Sequence, residues 1–75
     1  MQIKIHYCSM WNYKPKAAGL AAELKNDIGV KAELIAGSSG VFDVIVDGKT
    51  VYSKRKSGRF PEPGEVSELL KSGQA

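Results

Sequence analysis

At 75 residues and 8.1 kDa the chain fits one small domain, a size that buries only about 60% of the surface exposed on unfolding. Hydrophobic residues at 43% and charged residues at 25% exclude a disordered polymer, and no apolar run approaches the ~20 residues that span a bilayer. A net charge of +3 is too weak to argue nucleic-acid binding, and a single cysteine excludes an intrachain disulfide and a multi-cysteine metal site.

Residues 2–7 alternate, with Ile3, Ile5 and Tyr7 on one side and Gln2, Lys4 and His6 on the other, which predicts a strand with one buried face. The chain enters this strand from Met1 without the apolar core of a signal peptide, so a cytoplasmic protein is expected. Ala17, Leu20, Ala21, Leu24 and Ile28 then recur at helical spacing and predict an amphipathic helix from about Lys14 to Ile28. Pro15 suits its first turn and Gly29 its left-handed end. Gly19 weakens the helix interior unless close packing requires it, and the sequence leaves both explanations open.

Val30, Ala32 and Leu34 alternate with Lys31, Glu33 and Ile35 as a second strand, and Gly37-Ser38-Ser39-Gly40 reads as a turn. Residues 41–46 form a third strand, with Phe42, Val44 and Val46 on one face. Asp47-Gly48 favours a type I′ hairpin into a fourth strand over Lys49 to Ser53. Lys54 to Arg59 reads as a basic loop, and Val66, Leu69 and Leu70 mark a short helix ending before Gly73.

The predicted order is β-α-β-β-β-α. A strand, helix and strand within about thirty residues make a right-handed crossover between parallel strands, and the hairpin adds an antiparallel pair. The first strand has one apolar side, so both helices are expected on one face of a four-stranded mixed sheet, an α/β (α+β) architecture. The other face would carry Lys4, His6, Lys31, Glu33 and Asp43, with Ile35 or Ile45.

Cys8 falls where the first strand gives way to the first helix. Unpaired N–H groups and the positive helix end favour an ionised sulfur there, and Lys14 and Lys16 add positive potential, although a lone cysteine in a small protein is more often a buried hydrophobe. His6, two residues earlier, would share the strand side of Cys8 as a candidate base, although a solvated histidine is the commoner case. Tyr13 would cover the site or simply pack. Ser39 and Gly40 form either a plain turn or an edge for backbone pairing with a substrate strand. Lys54, Arg55, Lys56 and Arg59 form either a solvated loop or an attractor for carboxylates.

The string from Tyr7 through Cys8, Ser9, Met10, Trp11, Asn12, Tyr13 and Lys14 to Pro15 and Lys16 resembles the redox segment of the SelT/SelW/SelH (Rdx) selenoprotein family, in its selenoprotein W branch. Gly40-Val41-Phe42-Asp43-Val44, Asp47-Gly48, Ser53-Lys54 and Gly58-Arg59-Phe60-Pro61 extend the resemblance over nearly the whole chain. It implies a single thioredoxin-like domain over residues 1–75 and a thiol-based oxidoreductase whose first redox residue is Cys8. The family's second position, cysteine or selenocysteine, is Trp11 here, and its following glycine is Asn12.

An indole neither attacks nor forms a disulfide, so a two-thiol cycle is excluded in this polypeptide. Selenocysteine is encoded by UGA, one base from the tryptophan codon UGG, so Trp11 either replaces a natural selenocysteine or marks a one-cysteine paralogue. The resemblance implies protein thiols, protein disulfides or glutathione as reaction partners, with no cofactor beyond glutathione as co-substrate. The sequence carries no recognised nucleic-acid motif and no apolar run of membrane-spanning length, so neither partner is expected, and a monomer is expected. The alternative function is a non-catalytic interaction module with Trp11 as its anchor.

Overall fold

A computed structural model describes residues 1–73. Its elements are β1 (Ile3–Cys8), α1 (Lys14–Ile28), β2 (Ala32–Gly37), β3 (Phe42–Val46), β4 (Lys49–Ser53), α2 (Lys54–Ser57) and α3 (Glu65–Lys71). The strands form one sheet in the order β2-β1-β3-β4. The β1–β2 pair is parallel, and the other two pairs are antiparallel.

Alternation along β1 sends Ile3, Ile5 and Tyr7 into one cluster with Ala17, Leu20 and Leu24 of α1 and Val66 and Leu70 of α3. Phe42, Val44, Val46 and Tyr52 complete it from β3 and β4. Both long helices therefore cover the same face. On the other face His6 lies between Ile35 and Asp43, and Lys4 between Glu33 and Ile45, so both isoleucines reside there, half-buried. Among the described residues no helix is long and apolar enough to cross a membrane.

Two details differ from the sequence reading. β2 begins at Ala32, because Gly29 ends α1 in the left-handed conformation and Val30 and Lys31 serve as the connection. Lys31 therefore precedes the sheet instead of joining its open face. Lys54–Ser57 is a helical turn instead of a loop, closed by the Gly58 N–H donating to the Lys54 carbonyl at 2.7 Å. In the hairpin, Asp47 and Gly48 have φ of +50° and +82°, as a type I′ turn requires. The Asp47 carboxylate accepts from the Gln2 N–H at 2.8 Å, tying the turn to β1.

Candidate redox site

Cys8 ends β1, and its backbone is fixed from two sides. Its N–H donates to the Val41 carbonyl at 2.8 Å, and its carbonyl accepts from the Tyr13 N–H at 3.0 Å. Between these anchors the chain turns tightly, with the Asn12 N–H donating to the Ser9 carbonyl at 3.3 Å. The turn brings the Trp11 N–H to 3.4 Å from the Cys8 Sγ, so the residue three positions on donates directly to the sulfur. Asn12 closes the turn at φ +58°, a left-handed conformation open to glycine and, among other residues, chiefly to asparagine and aspartate. Asn can therefore occupy the position where the resembling family has Gly.

Two features define the surroundings of Cys8. The side chain is fully buried, although it lies outside the cluster between sheet and helices. The N–H that reaches the sulfur comes from the Ser9–Asn12 turn, which precedes α1, and not from the helix's first turn. The helix starts at Lys14 without a side-chain cap, so its opening residues serve to close the turn through Tyr13.

Trp11 points away from the sulfur. Its side chain is 61% exposed and its ring lies against Gly40, where an added Cβ would come within 2.5 Å of the indole. Met10 beside it is 82% exposed. Tyr13 meets Trp11 edge-on at 6.1 Å between ring centroids and Phe60 at 4.8 Å, and Phe60 meets Phe42 at 5.2 Å. Tyr13 thus serves in aromatic packing that links the turn to the core. The Lys54 ammonium lies 5.7 Å from the Tyr13 ring centroid and 5.2 Å from that of Phe60, and the Lys16 ammonium 5.3 Å from that of Phe60.

The other candidates separate. His6 stands on the open face and, among the described residues, makes no hydrogen bond to Cys8. Ser39 and Gly40, at φ +60° and +71°, form a tight turn closed by the Val41 N–H on the Ser38 carbonyl at 3.3 Å. The Arg55 guanidinium occupies the Ser39 carbonyl at 2.6 Å, so this segment is a self-satisfied turn. Arg59 leaves the basic cluster altogether, because Glu65 holds its guanidinium through two contacts of 2.7 and 2.9 Å. That ion pair, with the Glu62 N–H, keeps the Glu65 carboxyl at about 2, well below its ordinary value. Sequence reasoning missed Phe60 as a neighbour of the site, although Phe60-Pro61 was visible as a motif, whereas Lys16, expected near the thiol, lies over the Phe60 ring.

The sequence model of the Rdx family matches residues 2–72. The chain belongs to the Rdx family. It is similar to migration and invasion enhancer 1 of Mus musculus and of Bos taurus, each 26% identical over 72 residues. That alignment covers 95% of this chain and 63% of either relative, so the chain spans somewhat less than two thirds of their length. Among solved structures, a protein from Bordetella parapertussis matches with a TM-score of 0.90 at 27% identity, covering 96% of this chain and 95% of the other. A selenoprotein W-related protein from Vibrio cholerae matches with a TM-score of 0.81 at 26% identity, covering 95% and 92%. The Rdx domain therefore has the thioredoxin-like fold that the sequence resemblance implied, within a family generally associated with redox chemistry.

Proposed function

We propose that this Rdx protein is a thiol or selenol redox protein that works through Cys8. The Cys8 thiolate attacks a disulfide R–S–S–R′, forming Cys8–S–S–R and releasing R′–S⁻. In the chain as it stands, a second external thiolate, with glutathione as the proposed co-substrate, attacks the R sulfur of Cys8–S–S–R, forming G–S–S–R and releasing Cys8 as thiolate. No other cofactor enters, and the reaction suits a monomer in a reducing compartment such as the cytoplasm. What supports this reading is the Trp11 N–H, which donates to the Cys8 sulfur at 3.4 Å and keeps the backbone of residue 11 beside it, although the indole points away.

The proposal extends to position 11 itself. A selenocysteine there would supply the intramolecular second step that an indole cannot. A UGA codon at this position of the source gene supports that form, and UGG supports a one-cysteine redox protein. The test on the polypeptide is Trp11→Cys. Under mild oxidation it is expected to lose two titratable thiols as a monomer, whereas the parent chain forms only mixed disulfides at Cys8, both read by intact mass. Retention of both thiols would remove residue 11 from the resolving role.

The exposure of Met10 and Trp11 favours a second reading, a binding module without turnover. Under it, Trp11→Ala abolishes partner binding while Cys8→Ser preserves it.

A further inference from the structure

The charges of this chain are segregated. Residues 8–22, 37–42 and 48–61 contain no aspartate or glutamate, and the acidic residues all lie outside these segments. The fold brings the three segments together around Cys8. The Cys8 N–H meets the Val41 carbonyl, the Ser9 N–H meets the Gly37 carbonyl, the Trp11 ring lies on Gly40, and Arg55 reaches the Ser39 carbonyl. The end of the molecule that holds the cysteine thus carries Lys54 and Arg55, with Lys14 and Lys16 in the first turn of α1, while two carboxylates, Glu23 and Glu62, line a groove together with Lys16.

Helix stability does not account for this pattern. Lys14 and Lys16 occupy the first turn of α1, at the positive end of its dipole, and no acidic residue offsets them there. α2 places Lys54, Arg55 and Lys56 consecutively within four residues. The α1 arrangement opposes local stability, the α2 cations also occupy that helix's last turn, and both helices raise the positive potential around them. The Lys16 and Lys54 ammoniums rest over aromatic rings, a weaker partner than a carboxylate.

That surface also has an apolar middle. The exposed Met10 and Trp11 lead through Tyr13 to Phe60. Phe60 forms one wall of that groove, of about 320 Å³, with Gly19, Leu20, Phe42 and Pro61; Lys16 stands at its rim, and Glu23 and Glu62 also line it. Gly19 has no neighbour within 4 Å of where its Cβ would stand, so the groove stays open beside α1 because that side chain is absent.

We infer that this face docks an acidic segment of the protein whose sulfur reacts with Cys8, with carboxylates on Lys16 and Lys54 and an apolar side chain in the groove. The inference rests on the redox reading of Cys8 and assigns its substrate class. Charge complementarity selects the occupant. A lipid surface would bury Met10 and Trp11 but leave the groove empty, and neither lipid nor nucleic acid brings a sulfur to Cys8.

The test compares two peptides of equal length, each bearing a central cysteine as its mercaptoethanol mixed disulfide, one flanked by Glu and Leu and the other by Lys and Leu. Adduct formation at Cys8 is followed by intact mass at low and high salt. The acidic peptide is expected to react about tenfold faster at low salt, with the advantage shrinking at high salt and reversing in a Lys54→Glu/Arg55→Glu chain. Because Arg55 also braces Ser39, a Lys14→Glu/Lys16→Glu chain, at exposed positions of the first turn of α1, serves as a second variant, with folding checked by circular dichroism. Bis(2-hydroxyethyl) disulfide, uncharged and small, tests the redox reading separately. If it and both peptides leave Cys8 unmodified, that reading fails, and anisotropy of labelled peptides with serine for cysteine still decides the docking surface. Equal rates or affinities for the two peptides overturn the inference. Retention on anionic phosphatidylserine vesicles with no preference between peptides overturns it in favour of a lipid surface.

Discussion

A Cβ at position 40 would lie 2.5 Å from Cζ3 of Trp11 and would sit on a backbone with φ +71°. The left-handed conformation alone costs an L-residue about 1–2 kcal/mol. Gly40→Ala is therefore expected to lower the midpoint of thermal unfolding and to push the indole off the turn, shifting its fluorescence. The same displacement loosens the Ser9–Asn12 turn over Cys8, so iodoacetamide should alkylate the folded variant faster than the parent chain. An unchanged alkylation rate in a folded variant would show that the indole has no hold on access to the sulfur. Gly19 behaves oppositely, since a methyl group there meets nothing within 4 Å and φ is not left-handed. Gly19→Ala should raise stability by about 0.5–1 kcal/mol in urea denaturation, which settles the choice left open by the sequence in favour of a weakened helix over close packing. At this scale the position of Cys8 was legible, because a change of hydrophobic period marks the strand–helix junction. Its burial and the contact between Trp11 and Gly40 were not, because pairings across 29 positions leave no mark on local periodicity.

Among the elements, α2 and α3 show where charge holds the backbone in place. The Tyr52 hydroxyl donates to the Arg59 carbonyl at 2.8 Å, and Arg59 in turn grips Glu65 at the start of α3. Glu65 also accepts from the Glu62 N–H at 2.9 Å, so one carboxylate fixes the loop between the two helices. Its folded pKa of about 2 lies below the ordinary 4.5, mainly because Arg59 hydrogen-bonds to the charged form. A depressed carboxyl contributes stability above its unfolded pKa and loses that contribution as pH falls through the folded value. The thermal midpoint should therefore lose a contribution from this group between about pH 4.5 and 2. In Glu65→Gln that part of the acid slope should vanish, with a lower midpoint at neutral pH. The pair is partly solvated, so added salt should weaken the effect. An acid slope identical in both chains would show that Glu65 is ionised equally in the unfolded state. The sequence reading grouped Arg59 with the lysines because local charge runs are visible, whereas a guanidinium's partner six positions away is chosen by the turn between them.

For the molecule as a whole, the sheet could be read in advance because each strand has one apolar side and each connection has few topological options. Ile3, Ile5 and Tyr7 fixed the buried face of β1, the length of α1 demanded a parallel β2, and Asp47-Gly48 demanded an antiparallel β4. Local irregularities were not readable in this way, such as the register shift between β3 and β4 at Val44 and Ile45. One consequence is that the two sheet faces should contribute unequally to stability. Ile5 is fully buried beneath the helices on the central strand β1, opposite Leu34 and Val44, whereas Ile45 is half-buried on the open face. Truncating a core isoleucine to alanine costs about 2–5 kcal/mol, and a domain of this size holds only about 4–11 kcal/mol in all. Ile5→Ala should therefore lower the thermal midpoint by about 10 °C or more, while Ile45→Ala should lower it by less than half as much. Equal losses would mean that the open face is covered in solution, because only burial against another surface would give Ile45 the same weight as a residue enclosed by α1 and α3.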